Sequence, residues 1–190
     1  MTIEMRLDSI ERKRTRLMDF VSGMDATLAA ARPRPEKWSV QEIVEHLVLS
    51  EAGVFGNLDE LGQRRPRSRG FKDRILYLVV MFILRFDIPV QVPSPDMRPS
   101  GEVTIPRLRE QWESNHERLR AWTVSTEGPK LAQPLFVHPV AGPMTTLEAL
   151  RMLEVHLDRH TRQILKSGPG RLSGRPASHV LPPDAAARRG

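Results

Sequence analysis

The chain has 190 residues, 39% of them hydrophobic and 27% charged, enough for one domain to bury a core without staples. It contains no cysteine, which excludes disulfide scaffolds, iron–sulfur clusters, thiolate zinc sites and thiol nucleophiles, so any metal must be held by His, Asp or Glu. The net charge of +6 is concentrated in Arg64–Arg74 and Lys166–Gly190, which read as a solvated loop and tail; no DNA-reading motif accompanies them, so nucleic acid is not an expected partner.

Met1–Arg16 is charged throughout and lacks an apolar h-region, so no signal peptide is expected and a cytoplasmic location follows by default. Apolar residues from Ile3 to Leu28 recur mostly at three- and four-residue steps, predicting a first helix over Thr2–Ala31 that Pro33 and Pro35 end. Ser39 and Glu42 have capping-box spacing and predict a second helix to about Leu61, with Ile43, Leu47, Val54 and Leu58 on one face. A basic loop, Gly62–Gly70, follows.

Ile75–Leu84 is an uninterrupted run of ten apolar residues inside Phe71–Phe86. A bilayer span needs about 20 residues, so no stable membrane insertion is expected. The run reads as a short extra helix buried by the bundle or by a second subunit, with an interfacial membrane segment as the alternative. Ile88–Pro99 carries four prolines and reads as a loop. A third long helix is predicted over Thr104–Trp122 with Leu108, Trp112, Leu119 and Trp122 inward, then a loop over Gly128–Pro143. Thr145 or Thr146 caps the last helix, which ends near Lys166. No strand pair is expected. The fold class is all-α, a four-helix bundle with long crossover connections over residues 1–167. A flexible basic tail is expected over 168–190, where Gly and Pro are dense.

His156 and His160 are four apart on the last helix and therefore share one face, continuing the stripe of Ala149, Leu150, Leu153 and Ile164. His46 lies at the edge of the second helix's apolar face. Buried imidazoles need hydrogen-bond partners, and one metal ion satisfies three at once. Spacing alone leaves ordinary core histidines as an equal alternative.

The stretch Trp38-Ser39-Val40-Gln41-Glu42-Ile43-Val44-Glu45-His46-Leu47, followed by Ser50 and Glu51, resembles the second-helix motif of the DinB/YfiT-like family. The segment from His138 to Thr145, running into His156, His160, Gln163 and Ile164, resembles that family's last-helix motif. The resemblance implies a bundle in which His46, His156 and His160 bind a divalent metal such as Zn²⁺ or Ni²⁺, and it implies a homodimer. The segments Phe71–Phe86 and Ile88–Pro99 are longer than the minimal family pattern. Implied activities are metal-dependent hydrolysis of a small molecule and transfer chemistry with a low-molecular-weight thiol. The alternative is a non-catalytic small-molecule-binding or dimeric interaction protein.

Around the metal ligands, Glu51 is the candidate general base or fourth ligand, with a solvated or capping carboxylate as the competing reading. His138 and Gln163 are candidates for the pocket rim. Asp158 points off the histidine face toward an outward salt bridge. His116, flanked by charges, is expected at the surface.

Overall fold

The computed structural model describes residues 1–55, 58, 60, 65, 67–88 and 95–167. The N-terminal apolar stripe forms α1 (Ile3–Ser22), burying Leu7, Ile10, Leu17, Met18 and Val21. The expected continuation to Ala31 is broken. Gly23 closes α1, and the Asp25 carboxylate accepts from the N–H groups of Thr27 and Leu28 at 2.9 and 3.1 Å, starting a separate short helix, α2 (Ala26–Ala30). A side chain that caps two free N–H groups wins over continuing the stripe.

α3 (Val40–Phe55) opens on the expected capping box: Ser39 N–H donates to Glu42 Oε2 at 2.8 Å and Glu42 N–H to Ser39 Oγ at 3.1 Å. Only residues 58 and 60 of its expected last turn are described. The apolar segment forms α4 (Phe71–Arg85), and a 3₁₀ turn follows at Pro95–Met97. Then come α5 (Ile105–Ser125), a short α6 (Gly128–Leu131) and α7 (Thr146–Ser167). Thr145 caps α7, its hydroxyl accepting from Glu148 N–H at 3.3 Å while Glu148 Oε2 accepts from Thr145 N–H at 3.0 Å. The expected tail, residues 168–190, and residues 89–94 of the proline-rich loop lie outside the described residues.

Two further expectations are corrected. The loop before α7 contains a strand pair, β1 (Phe136–His138) antiparallel to β2 (Gly142–Met144), with Val137 opposite Pro143. Three-residue strands are too short to show alternation in sequence; the hairpin instead depends on Gly142, at φ 70°, after the three-residue loop 139–141. In α4, only Tyr77 and Val80 are buried, so the bundle does not cover the apolar run. α4 packs on α7 and β2 along one face and leaves the other to solvent.

The four long helices form a ring. α1 packs on α7 and α5, and α3 packs on α5 and α7, which places α1 diagonal to α3 and α5 diagonal to α7. Successive long helices α1 and α3 are therefore not neighbours, and the connections cross over as expected. The core at the ring's centre includes Ile43, Leu47, Leu108, Trp112, Leu119, Leu150 and Ile164. The seam between α3 and α7 is where the histidines meet.

Candidate metal centre

α3 contributes His46, and α7 contributes His156 and His160 one turn apart. One ring nitrogen from each lies within 4.8 Å of the others. His160 Nε2 is 2.9 Å and His46 Nε2 is 3.2 Å from His156 Nε2. Ligands of a tetrahedral ion bound at about 2.0–2.1 Å stand about 3.3 Å apart, so the imidazoles are close to ligand spacing. The rings sit edge to face, with His46 at 88° to His156 and 76° to His160.

The far sides of two rings are fixed. His46 Nδ1 is 2.7 Å from the Met97 carbonyl oxygen, which can only accept, so Nδ1 carries the proton. His160 Nδ1 is 2.9 Å from Gln163 Oε1 and donates to it. A neutral imidazole with its proton on Nδ1 presents a bare lone pair at Nε2. His156 Nε2 can donate to one of these two lone pairs and not to both. A cation at the meeting point satisfies all three, and this donor arrangement fits a divalent ion.

Burial lowers the proton affinity of all three rings, and repulsion from neighbouring imidazoles adds to it at His156 and His160. The His160 pKa falls to about 3, that of His156 falls well below the usual imidazole range, and that of His46 also falls, with the Arg159 guanidinium adding to each effect. The rings are thus neutral, as metal ligands must be.

The 3₁₀ turn that supplies Met97 is pinned to α3. Glu45, one residue before His46, accepts from Ser100 N–H and Oγ–H at 3.0 and 2.8 Å and from Gly101 N–H at 2.8 Å. Gln41 Nε2 donates to the Gly101 carbonyl at 2.8 Å. The Trp38 ring packs on His46 with centroids 4.9 Å apart.

Gln163 therefore lies beside the group, as a partner of His160. His138 fixes its own hairpin: its Nδ1 accepts from the N–H groups of Val140 and Ala141 at 3.1 and 3.0 Å. Asp158 pairs outward with Lys13 at 2.8 Å, as its position predicts. Glu51 is not brought to the imidazoles. It is buried against α5, accepting from Trp112 Nε1–H at 2.9 Å, and burial pushes its pKa up to about 7. His116 is corrected from surface to interior: it is 3% exposed, 3.4 Å from Glu11 and 4.0 Å from Glu51. Sequence reasoning missed Met97, whose carbonyl leaves no side-chain signal. Glu45 was visible only as one carboxylate among several.

The sequence matches the model of the DinB superfamily over residues 9–164. Among solved structures, the chain is similar to YfiT from Bacillus subtilis, described as a probable metal-dependent hydrolase with an unusual four-helix bundle topology. That likeness has a TM-score of 0.56 and 16% identity, over 91% of this chain and 88% of YfiT. It is also similar to TT2238, a four-helix bundle protein, with a TM-score of 0.51 and 16% identity, over 87% of this chain and 99% of that one. No curated protein sequence matches it.

Proposed function

The chain belongs to the DinB superfamily, and from that premise we propose that it is a cytoplasmic divalent-metal enzyme acting on a small molecule at His46, His156 and His160. The reaction is hydrolysis or low-molecular-weight-thiol-dependent transfer. One observation carries the reading: three imidazoles on two helices, His46 and His160 buried and His156 half-buried, aim Nε2 at a common point, and two of them have Nδ1 tied to an acceptor.

A divalent ion, if bound, would be held by His46, His156 and His160 and would supply Lewis acidity toward a substrate or water. The chain's own residues set up that chemistry. The Met97 carbonyl and the Gln163 amide fix the Nδ1-protonated form of His46 and His160, so both present Nε2 without a change of tautomer. Burial keeps the rings neutral, and the Arg159 guanidinium opposes their protonation. Zn²⁺ and Ni²⁺ suit an all-imidazole donor set.

A second reading, a metal-dependent small-molecule-binding protein without turnover, is favoured by the composition of the group. Among the described residues it holds no carboxylate to serve as acid or base. Metal analysis of protein purified without a histidine tag tests the site itself; less than about one-tenth of an equivalent, not raised by added Zn²⁺ or Ni²⁺, would sink both readings. Screens for ester, amide and phosphoester hydrolysis and for thiol transfer then separate them. Turnover lost in His160→Ala supports the enzyme, and saturable metal-dependent binding without turnover supports the binding protein. Sedimentation equilibrium on the same sample tests the homodimer that the family resemblance implies.

A further inference from the structure

We propose that the outer face of α4 is a docking surface for an anionic membrane. Phe71, Ile75, Leu78 and Phe82 follow one another at steps of four, three and four residues, which aligns them along one side of a helix. They are 80%, 44%, 59% and 55% exposed, and Phe86, just beyond the helix, is 63% exposed and packs its ring on Phe82. The opposite side, Tyr77 and Val80, holds α4 to the bundle. Scattered apolar residues on a surface are ordinary, but a continuous stripe five residues long marks an interaction site.

The charges around the stripe select the partner. At 100° per residue, Arg74 and Arg85 lie along one edge and Lys72 along the other, and all three are exposed. Arg65 and Arg67, just before the helix, are exposed as well. The nearby acids, both half-exposed, already have partners. Asp73 accepts from Gly70 N–H at 2.8 Å, and Asp87 is engaged by Arg159 and Lys166 at 3.0 and 3.7 Å.

A second copy laid against this face would bring two sets of cations together around the apolar strip, while the one carboxylate of α4, Asp73, is taken up by the Gly70 N–H at its own N-terminus. Anionic headgroups meet the cations while the hydrocarbon edge takes the phenyl and aliphatic side chains. The helix has 15 residues, about 22 Å, against a hydrocarbon core of about 30 Å, so it lies in the interface plane. No helix among the described residues is long and apolar enough to cross a membrane.

Co-sedimentation of the full chain with vesicles tests this. Vesicles of phosphatidylcholine mixed with phosphatidylglycerol should pellet the protein, and pure phosphatidylcholine should do so at least about tenfold less. Raising the salt to about 0.5 M should release most of it, because headgroup attraction is screened. The double variant Leu78→Asp, Phe82→Asp should lose binding. Arg74→Glu with Arg85→Glu should weaken it by at least about fivefold per residue. Both variants alter exposed positions, and unchanged helical circular dichroism and melting temperature confirm that they fold. Equal binding to neutral vesicles, or undiminished binding by the Asp variant, overturns the proposal. So does a dimer in sedimentation equilibrium that the Asp variant splits, because a second copy then covers the face.

Discussion

The Met97 carbonyl oxygen lies 2.7 Å from His46 Nδ1, although the two residues are 51 positions apart. That contact depends on a clamp. Glu45 gathers three donors from Ser100 and Gly101, and the 3₁₀ turn before them carries Met97 over α3. Releasing the clamp should loosen the Met97 contact behind His46 without touching a ligand. Glu45→Ala should therefore weaken metal affinity by about 10–100-fold, the usual cost of losing a partner behind a ligand. Competition with a chromophoric chelator measures it. An affinity within twofold of the parent would show that Met97 does not orient the ring.

Metal should also stabilise the bundle, because an ion held by His46, His156 and His160 would tie α3 to α7. Ligand at 1,000 times its Kd adds about 4 kcal/mol, which for a chain of this size raises Tm by about 8–16 °C. Adding Zn²⁺ to chelator-treated protein should produce a shift of that order, and His156→Ala or His160→Ala should nearly abolish it. A shift unchanged in both variants would place the metal elsewhere.

Gly142 carries a structural burden of its own. Its φ is 70°, and a Cβ added there would stand 2.7 Å from Asp73 Oδ1. Gly142→Ala must therefore strain the backbone and also displace the carboxylate that holds the N-terminus of α4. A loss of about 1–3 kcal/mol in urea unfolding is expected. Because α4 packs on β2, vesicle binding should weaken with it. A loss below about 0.5 kcal/mol would mean that the hairpin can rearrange.

The helices and the His156–His160 pair are legible because a 3.6-residue period fixes which side chains share a face. The same arithmetic, applied fully, separates His46 from Glu51: five residues turn the helix by about 500°, leaving the two about 140° apart. His46 thus faces α7, and Glu51 faces α5. His116 was obscured by its neighbours. Glu113, Glu117 and Arg118 are charged, yet Trp112, His116 and Leu119 follow at steps of four and three on the buried stripe. The exposure of α4 could not be read from its sequence, since an apolar run fixes a wish for burial and not what supplies it. Met97 left no trace because a main-chain carbonyl is common to every residue.

Glu51 gives the chain a stability handle on the far side of α3 from the histidines. Its Oε2 accepts from Trp112, while Oε1 has no hydrogen-bond partner among the described residues, and burial is the main cause of its raised pKa of about 7. The unfolded value is near 4.5. Between those values the folded state holds the proton more tightly, so ∂ΔG/∂pH is negative and stability falls as pH rises through about 4.5–7. His116 works the other way. Burial lowers its pKa from 6.5 to about 4, so the unfolded state binds the extra proton and stability rises with pH between those values. The two slopes oppose each other, and only a difference between variants isolates either one. Glu51→Gln keeps the shape and the Trp112 hydrogen bond but cannot ionise. Relative to the parent, its stability should be near equal at pH 4.5 and should gain progressively to about 3 kcal/mol, as an order of magnitude, at pH 8. Urea unfolding at a series of pH values, in metal-free buffer, measures that difference. A gain that does not change with pH would mean that Glu51 is ionised inside the fold, with His116 or Arg14 neutralising it.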